Sequence, residues 1–483
     1  MQFTHTYSEL GERFFQRICP LPVSAPSLLL FNDVLAKQLN IPLSIQQSLE
    51  QQSLVFSGNT LTETAMPIAL AYCGHQFGQL NPQLGDGRAH LLGELIDTKG
   101  KRVDVQLKGS GPTQYSRRGD GRSALGPALR EYIMSEAMFY LGVPTTRTLA
   151  VVATGEQVYR ETIKPGGIST RVASSHIRVG TFVYYAVNND LDGVSALLDY
   201  SIQRHFPELE QAENKAAAFL QSTMQKQITL IVEWMRVGFI HGVMNTDNCA
   251  ISGETIDYGP CAMMGAYNPG AVFSSIDVQG RYAFGNQPSI ALWNMTRLAE
   301  SLLPLIATEE QESIKIAEAI LGRFADDYEN AFEAMMLNKL GLGKKEGVTA
   351  EFIQTFLELL KENTLDYTII FNTLLASLDD TAKAVELLGV LGPWYRQWRQ
   401  LVGEHSDDIA VAKILMRKAN PVVIPRNHHV EAVLTACEQS LSGEPAAAFL
   451  AVLREPYTQL PDTFKYQDAP KDADSHYKTF CGT

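Results

Sequence analysis

The spacing of apolar residues divides the chain into a first part rich in strands and a longer helical part. An alternating run with Val103, Val105 and Leu107 on one face predicts a strand that ends at Lys108. The apolar run 89–96 lies across a Lys-Gly turn from it, so the two strands are expected to pair as a hairpin. Two further strands, 149–153 and 157–160, are expected on either side of a Thr-Gly-Glu turn.

Helical spacing dominates after residue 188. A helix is predicted over 214–237, because its apolar residues form one stripe: Leu220, Met224, Ile228, Ile231 and Met235. Helical patterns continue from about 289 to 455. Within the strand-rich part, a helix is predicted from Ser123, a good N-cap, to about Leu141, with Gly142 after it. Residues 1–60 mix short apolar runs with prolines, which is typical of an irregular extension.

Composition restricts the class of protein. The chain has 483 residues, 45% hydrophobic and 19% charged, so a folded protein with a large core is expected. Its net charge of −13 argues against nucleic-acid binding, which relies on clustered cations. No apolar run reaches the roughly 18 residues that cross a membrane, and no signal peptide is visible, so no membrane association and a cytoplasmic location are expected. Six cysteines without a C-x-x-C pair argue against a standard zinc site or a disulfide framework.

The stretch from His241 to Asn248, followed by Asp257, carries the most specific chemistry. Asn248 and Asp257 offer the amide and carboxylate oxygens that hold Mg²⁺ against phosphates, and Asp247 is free to accept a proton. Protein kinases place a His, a base Asp and a metal-binding Asn over the same spacing, with Asp-Phe-Gly further on. Val243 occupies the position of the kinase base, so the base is predicted at Asp247. Taken alone, the Asn-Thr-Asp-Asn run is equally typical of an ordinary turn.

Several features that precede this stretch in the sequence are suited to bind a nucleotide. A glycine-rich loop, 72–88, precedes the first strand of the hairpin, and Lys108 ends the second, where it can reach phosphate oxygens. Glu131 in the predicted helix matches the glutamate that orients the kinase lysine. Arg171 and Arg178 lead into a predicted buried strand, and together they favour an anion such as a triphosphate. A solvated hairpin lysine and a surface arginine pair are the alternatives.

Four long blocks, 72–94, 104–149, 166–182 and 238–260, together with the near-terminal Cys481, resemble the selenoprotein O family in its bacterial, cysteine-containing form. The resemblance covers essentially the whole chain. It implies an α+β, protein-kinase-like fold with a β-rich N-lobe, a helical C-lobe and a helical C-terminal extension. It also implies a protein adenylyltransferase, which binds ATP flipped relative to kinases and transfers AMP to Ser, Thr or Tyr hydroxyls of other proteins.

The resemblance assigns roles to individual residues. Asp247 would be the catalytic base, and Asn248 and Asp257 would hold Mg²⁺, with Mn²⁺ as the alternative ion. The residues expected to bind the nucleotide are Gly85, Gly87, Arg88, Lys108, Asp120, Gly121, Glu131, Arg171, Arg178 and Asp257. Because Lys108, Arg171 and Arg178 would bind the β- and γ-phosphates, the α-phosphorus would face Asp247.

The family also includes members with a redox-sensitive disulfide between the terminal cysteine and a cysteine in the loop after the metal-binding Asp. The late part of that loop has no cysteine in this sequence, and Cys261 is the only thiol within the loop. Cys261 is therefore the expected partner of Cys481 if a pair forms, and a role in redox homeostasis is expected with it.

Two other functions fit part of the pattern. A kinase acting on a protein or a small molecule would keep an Asp where Val243 stands. A non-catalytic, ATP-binding pseudokinase would have no need of Asp247, Asn248 and Asp257 together. The expected domains are an N-terminal extension at 1–60, an N-lobe at 61–187, a C-lobe at 188–400 and a C-terminal extension at 401–483.

Overall fold

The computed structural model describes residues 1–343, 348–470, 474 and 476–480, and it has the predicted α+β fold. Its strands are β1 (Phe15–Arg17), β2 (Ser27–Phe31), β3 (Ile68–Leu70), β4 (Gly74–Gln76), β5 (Gln79–Asn81), β6 (Ala89–Ile96), β7 (Arg102–Lys108), β8 (Arg147–Tyr159), β9 (Ile163–Ala173), β10 (Phe239–Ile240) and β11 (Ala262–Met263). Its helices are α1 (Asp33–Gln38), α2 (Leu43–Gln46), α3 (Leu49–Phe56), α4 (Leu125–Tyr140), α5 (Val179–Val187), α6 (Leu191–His205), α7 (Lys215–Val237), α8 (Gln287–Ile306), α9 (Glu310–Leu321), α10 (Phe324–Lys339), α11 (Ala350–Glu362), α12 (Tyr367–Ala376), α13 (Thr381–Val402), α14 (Ser406–Ala419), α15 (Asn427–Ser440) and α16 (Glu444–Leu453).

Seven strands of the N-terminal lobe form one antiparallel sheet in the order β1-β3-β6-β7-β9-β8-β2. The hairpin of β6 and β7 is confirmed, with Ala89 opposite Lys108. Apolar cores lie on both faces of the sheet: one includes residues of α1 and α3, and the other continues into α4 and the helical lobe. Because α4 packs on β8 and β9, the sheet carries this helix close to the end of β7.

The structure corrects two expectations about strands in this lobe. Residues 1–60 are not irregular, because β1 pairs with β3 and β2 pairs with β8, so this segment supplies both edge strands of the sheet. The runs 149–153 and 157–160 are not a hairpin but one strand, β8, with a register shift between Ala153 and Gln157. The Thr154 hydroxyl accepts the backbone N–H of Glu156 at 3.1 Å, and this local bond accommodates the irregularity within the strand. The division into domains stays a prediction.

Two further corrections concern helix starts. Helix α4 begins at Leu125, and its N-cap position is held by Ala124 rather than Ser123, without a side-chain cap. The segment after Arg178 is helix α5, not a strand, although it is rich in β-branched and aromatic residues. The Thr181 hydroxyl accepts the backbone N–H of Arg178 at 3.0 Å, which favours a helix start at this point.

The second lobe is helical, as predicted. Helix α7 confirms the apolar stripe over 214–237, and Asn214 caps it by accepting the backbone N–H of Ala217 at 3.0 Å. The helix ends at Gly238, whose φ of +76° turns the chain into β10 and the loop that begins at His241. Among the described helices, none has the length and apolar character needed to cross a membrane.

Helices near the C-terminus return to the N-terminal lobe. Both α15 and α16 pack against α4. Arg130 of α4 donates to Glu431 of α15 and to the carbonyl oxygen of Cys261, each at 2.7 Å. The C-terminal helices therefore brace the helix that carries Glu131.

Candidate active site

The structure brings the predicted nucleotide, metal and catalytic residues together along one cavity. This cavity, of about 500 Å³, lies between the sheet and the helical lobe. The predicted residues that line it are Gly85, Gly87, Arg88, Lys108, Asp120, Gly121, Glu131, Arg171, Arg178, Asp247, Asn248 and Asp257. A larger cavity, of about 1030 Å³, lies beside α6, but its buried cation Arg204 is already bound to Asp104 at 2.5 Å. The smaller cavity is therefore the candidate active site.

A cluster of two cations and two carboxylates occupies the inner end of this cavity. Lys108 Nζ lies 3.2 Å from Glu131 Oε2, which is the predicted strand–helix ion pair. Arg171 joins the cluster, because its Nη2 lies 2.6 Å from Glu131 Oε1 and also donates to Asp257 Oδ1. Lys108 Nζ donates to the same oxygen of Asp257. Arg171 is thus an internal partner of both carboxylates.

The cations of this cluster determine the charge of Asp257. Burial alone would raise its pKa, but Arg171 and Lys108 outweigh burial and hold the pKa well below the ordinary carboxyl value. Its backbone has a φ of +66°, a strained value for a residue with a side chain, and such values concentrate at functional sites. Asp257 is therefore an ionised carboxylate fixed at one place in the cavity.

Asp247 has a different environment in the same cavity. It lies on a 3₁₀ turn, Thr246–Asn248, and its Oδ1 is buried without a hydrogen-bond partner among the described residues. Burial raises the pKa of Asp247 to about 6, with Arg178 acting in the opposite direction. A Cβ at Gly74 would stand 2.1 Å from this Oδ1, so only glycine leaves room for the carboxylate. A carboxylate with one unpartnered oxygen and a raised pKa can accept a proton from a bound hydroxyl.

Asn248 and Asp257 fit a divalent cation. The Asn248 side-chain nitrogen donates to the carbonyl oxygen of Val243 at 3.0 Å, which leaves the amide oxygen as the group available to a ligand. Asp257 receives Lys108 and Arg171 on Oδ1 only, and Oδ2 accepts no hydrogen bond from the described residues. One amide oxygen and one carboxylate oxygen are ligands suited to Mg²⁺, which keeps its other positions for water and phosphate.

His241 holds the catalytic loop against the segment that carries Asp257. Its ring nitrogen Nε2 bonds the carbonyl oxygen of Ile256 at 2.8 Å, and its backbone N–H donates to Gln287 at 3.0 Å. The ring is buried, and burial lowers its pKa. His241 is therefore a positioning residue, which is consistent with the kinase-like spacing of the motif.

The two glycine-rich loops fold over each other at the mouth of the cavity. Gly85 has a φ of +65°, and a Cβ there would stand 2.2 Å from the ring of Tyr115 in the second loop. Gly121 has a φ of +67°, and a Cβ there would stand 2.1 Å from the backbone of Gly111. Asp120, beside it, is exposed and bonded to both terminal nitrogens of Arg160 at 2.9 Å. Both loops therefore require glycine for their backbone path.

Two residues that sequence reasoning overlooked surround Arg178. Its guanidinium lies over the ring of Tyr72, 4.3 Å from the centroid, and its Nη2 is 3.8 Å from Asp86 Oδ1. Asp86 is buried and accepts the backbone N–H of Leu70 at 3.1 Å. Its place between Gly85 and Gly87 was the available signal, although an Asp between glycines is also typical of a turn.

The predicted redox pair remains a prediction. Cys261 is fully buried, its thiol donates to the carbonyl oxygen of Tyr258 at 3.1 Å, and burial raises its pKa to about 12. A thiol with such a pKa is a poor nucleophile while it stays buried. Cys481 lies outside the described residues.

Comparison with known proteins gives a consistent result. A family model described as "Protein adenylyltransferase SelO" matches residues 1–454. The chain is 49% identical to "Protein nucleotidyltransferase YdiU" of Teredinibacter turnerae over 100% of both chains. It is 50% identical to the protein of the same name from Brevibacillus brevis, covering 100% of this chain and 97% of the relative. Among solved structures, ROP2 of Toxoplasma gondii aligns at 11% identity over 61% of this chain and 85% of that one, but the TM-score of 0.25 is too low to support a conclusion.

Proposed function

Because the chain belongs to the SelO family of protein adenylyltransferases, we propose that the cavity between the sheet and the helices is its site of AMP transfer. The protein is a nucleotidyltransferase that uses ATP and acts on other proteins. In this transfer an acceptor hydroxyl of Ser, Thr or Tyr forms a bond to the α-phosphorus of ATP. The bond from that phosphorus to the oxygen of the leaving pyrophosphate breaks, and the hydroxyl proton moves to a base.

The observation that carries this proposal is the state of Asp247. Its Oδ1 is buried in the cavity without a hydrogen-bond partner among the described residues, so it can accept the proton of an incoming hydroxyl. Val243, at the position of the kinase base, has an apolar side chain and cannot take that role. The close contact of Asp247 with Gly74 supports the assignment, because it limits where the carboxylate can lie.

The cations of the cavity would bind the part of ATP that leaves. Arg178 has its carboxylate partner 3.8 Å away and a buried Nε without a hydrogen-bond partner among the described residues, so it is well suited to donate hydrogen bonds to phosphate oxygens. Lys108 and Arg171 would exchange part of their contact with Asp257 for phosphate contacts. A divalent ion, Mg²⁺ or Mn²⁺, held by Asn248 and Asp257 would neutralise charge on the phosphates.

ATP labelled separately at the α- and γ-phosphorus tests which phosphate is transferred. We expect label from α-labelled ATP in protein acceptors, and a mass increase equal to AMP on Ser, Thr or Tyr. Purified chain, MgCl₂ and a bacterial protein extract would be incubated, and the labelled peptides sequenced by mass spectrometry. Label that appears only from γ-labelled ATP would replace this proposal with a protein kinase.

Replacing Lys108 with alanine should lower kcat/KM for ATP by about 100-fold or more, because a charged group that stabilises the departing phosphates is lost. Lys101→Ala is the matched control, since Lys101 is an exposed lysine just before β7. Both variants would be assayed by pyrophosphate release at several ATP concentrations. Equal kinetics for Lys108→Ala and Lys101→Ala would exclude Lys108 from the site.

A further inference from the structure

A second group of potential metal ligands lies in the C-terminal part of the chain. His428 and His429 occupy the first turn of α15, and Asp468 follows a 3₁₀ helix, Thr463–Tyr466. The candidate ligand atoms of these three residues all lie within 4.8 Å of one another. None of the three lines the candidate active site. Asp468 Oδ1 is 2.7 Å from His429 Nε2, and its Oδ2 is 3.5 Å from His428 Nε2.

The hydrogen bonding of this group is incomplete. Both ring nitrogens of His428 are buried, and neither has a hydrogen-bond partner among the described residues. The His428 and His429 rings lie 4.0 Å apart between centroids, so their nitrogen atoms share one small region of the structure. The hydrogen bond between His429 Nε2 and Asp468 Oδ1 satisfies that pair and leaves His428 unsatisfied. Buried polar atoms without protein partners are rare in native proteins, and a bound water or ion often satisfies those that occur.

We propose that His428, His429 and Asp468 form a binding site for a divalent transition metal, with Zn²⁺ as the best-suited ion. Two imidazole nitrogens, one carboxylate oxygen and a water make a common tetrahedral ligand set for zinc. Ligand atoms around such an ion lie about 3.4 Å apart. The distances from His429 Nε2 to Asp468 Oδ1, 2.7 Å, and from His428 Nε2 to Asp468 Oδ2, 3.5 Å, are close to that separation, and one ligand atom from each residue lies within 4.8 Å of the other two. Imidazole ligands favour zinc over Mg²⁺, so this site differs in chemistry from Asn248 and Asp257.

Such an ion would fasten the C-terminal segment to the body of the protein. Asp468 belongs to a segment that continues toward Thr479, whose hydroxyl donates to the carbonyl oxygen of Pro260 at 2.7 Å. Pro260 lines the candidate active site. The histidines belong to α15, which packs on α4, the helix that carries Glu131. The metal would therefore join two elements that both contact the surroundings of the catalytic cavity. This inference does not depend on the reaction that the cavity performs.

Metal titration of the full chain tests the site. Protein stripped with a chelator would be titrated with Zn²⁺ by calorimetry and with Co²⁺ by its visible absorption, which reports a tetrahedral nitrogen and oxygen ligand set. We expect one strong Zn²⁺ site. His428→Ala and Asp468→Asn should each weaken it more than about 100-fold, beyond the loss typical of outer-shell partners. Asp468→Asn is isosteric at an exposed position, so it keeps the test valid if His428→Ala fails to fold.

Two control variants distinguish Zn²⁺ binding at His428, His429 and Asp468 from Zn²⁺ binding elsewhere on the protein. Asn248→Ala removes a predicted ligand of the active site and should leave the Zn²⁺ site unchanged. His405→Ala removes an exposed histidine outside the cluster and should also leave it unchanged. The proposal is overturned if the unmodified chain binds no Zn²⁺, or if binding persists unchanged in both His428→Ala and Asp468→Asn.

Discussion

Replacing Asp247 with asparagine is expected to lower the rate of AMP transfer by about 10²- to 10⁴-fold, the range for loss of a general base. ATP binding should change little, since the base acts on the acceptor hydroxyl.

The free energy of unfolding of the Asp247→Asn variant should rise by about 1–2 kcal/mol. Burial raises the pKa of Asp247 to about 6, so the folded protein loses stability as the pH rises from the ordinary carboxyl pKa toward that value. At pH 7 the cost is fully present, at about 3 kcal/mol, and an uncharged amide removes most of it.

Single-turnover transfer assays, ATP titration and urea unfolding would measure these three quantities on the same preparation. Asp192→Asn offers a matched control, because Asp192 is an exposed aspartate on α6, outside the cavity. Near-normal transfer by Asp247→Asn would show that another group takes the proton. A large loss of ATP binding would instead place Asp247 among the nucleotide ligands.

Replacing Asp257 with alanine is expected to abolish both transfer and ATP binding and to lower the stability of the protein. Lys108 and Arg171 both donate to Asp257 Oδ1, so its removal leaves two cations facing Glu131 alone. Removing one partner from a buried ion cluster costs about 3 kcal/mol or more. Metal-dependent ATP binding should be lost at the same time, because a predicted metal ligand is lost. The stability change is thus opposite in sign to that of Asp247→Asn.

Urea unfolding without nucleotide and calorimetric ATP titration with MgCl₂ would test both effects. The control is Asp199→Ala, which removes an exposed ion pair to Lys215 at 3.8 Å and should change stability by less than about 1 kcal/mol. Increased stability of Asp257→Ala would mean that the carboxylate is a strained ligand rather than the partner of the two cations. Retained Mg²⁺-dependent ATP binding would remove Asp257 from the metal site.

Much of the candidate site could be predicted because its residues belong to short, recognisable stretches of the sequence. Asp247 and Asn248 are adjacent, and Lys108 ends a strand whose alternation is clear, so spacing and residue type were enough to predict that these residues lie in one cavity. The placement of Arg171 was not predictable in this way. It joins Glu131 and Asp257 because β9 pairs with β7, with Gln106 opposite Arg171, and such a long-range pairing leaves no local signal.

The difference between local sequence signals and long-range contacts also explains why some elements of the fold were predicted wrongly. Helix α7 has 23 residues and a continuous apolar stripe, and its prediction was confirmed. The strands β1 and β2 have three and five residues, which is too short for alternation to stand out against neighbouring prolines. Helix α5 is rich in residues that favour strands, and tertiary packing together with the Thr181 cap outweighs that preference.

The position of β1 and β2 at the two edges of the sheet has a consequence for synthesis of the chain. These strands leave the ribosome before the strands that they pair with, and Ser27 of β2 cannot pair until Ala153 of β8 has been synthesised. During that interval the growing chain carries apolar strands with open backbone groups, which can pair with other nascent chains. Removing residues 15–31 would make this exposure permanent, because β3 and β8 would become the edges of the finished sheet, and β8 is a much longer edge strand than β2. We therefore expect variants that lack residues 15–31 to aggregate, even though they keep every residue that lines the catalytic cavity.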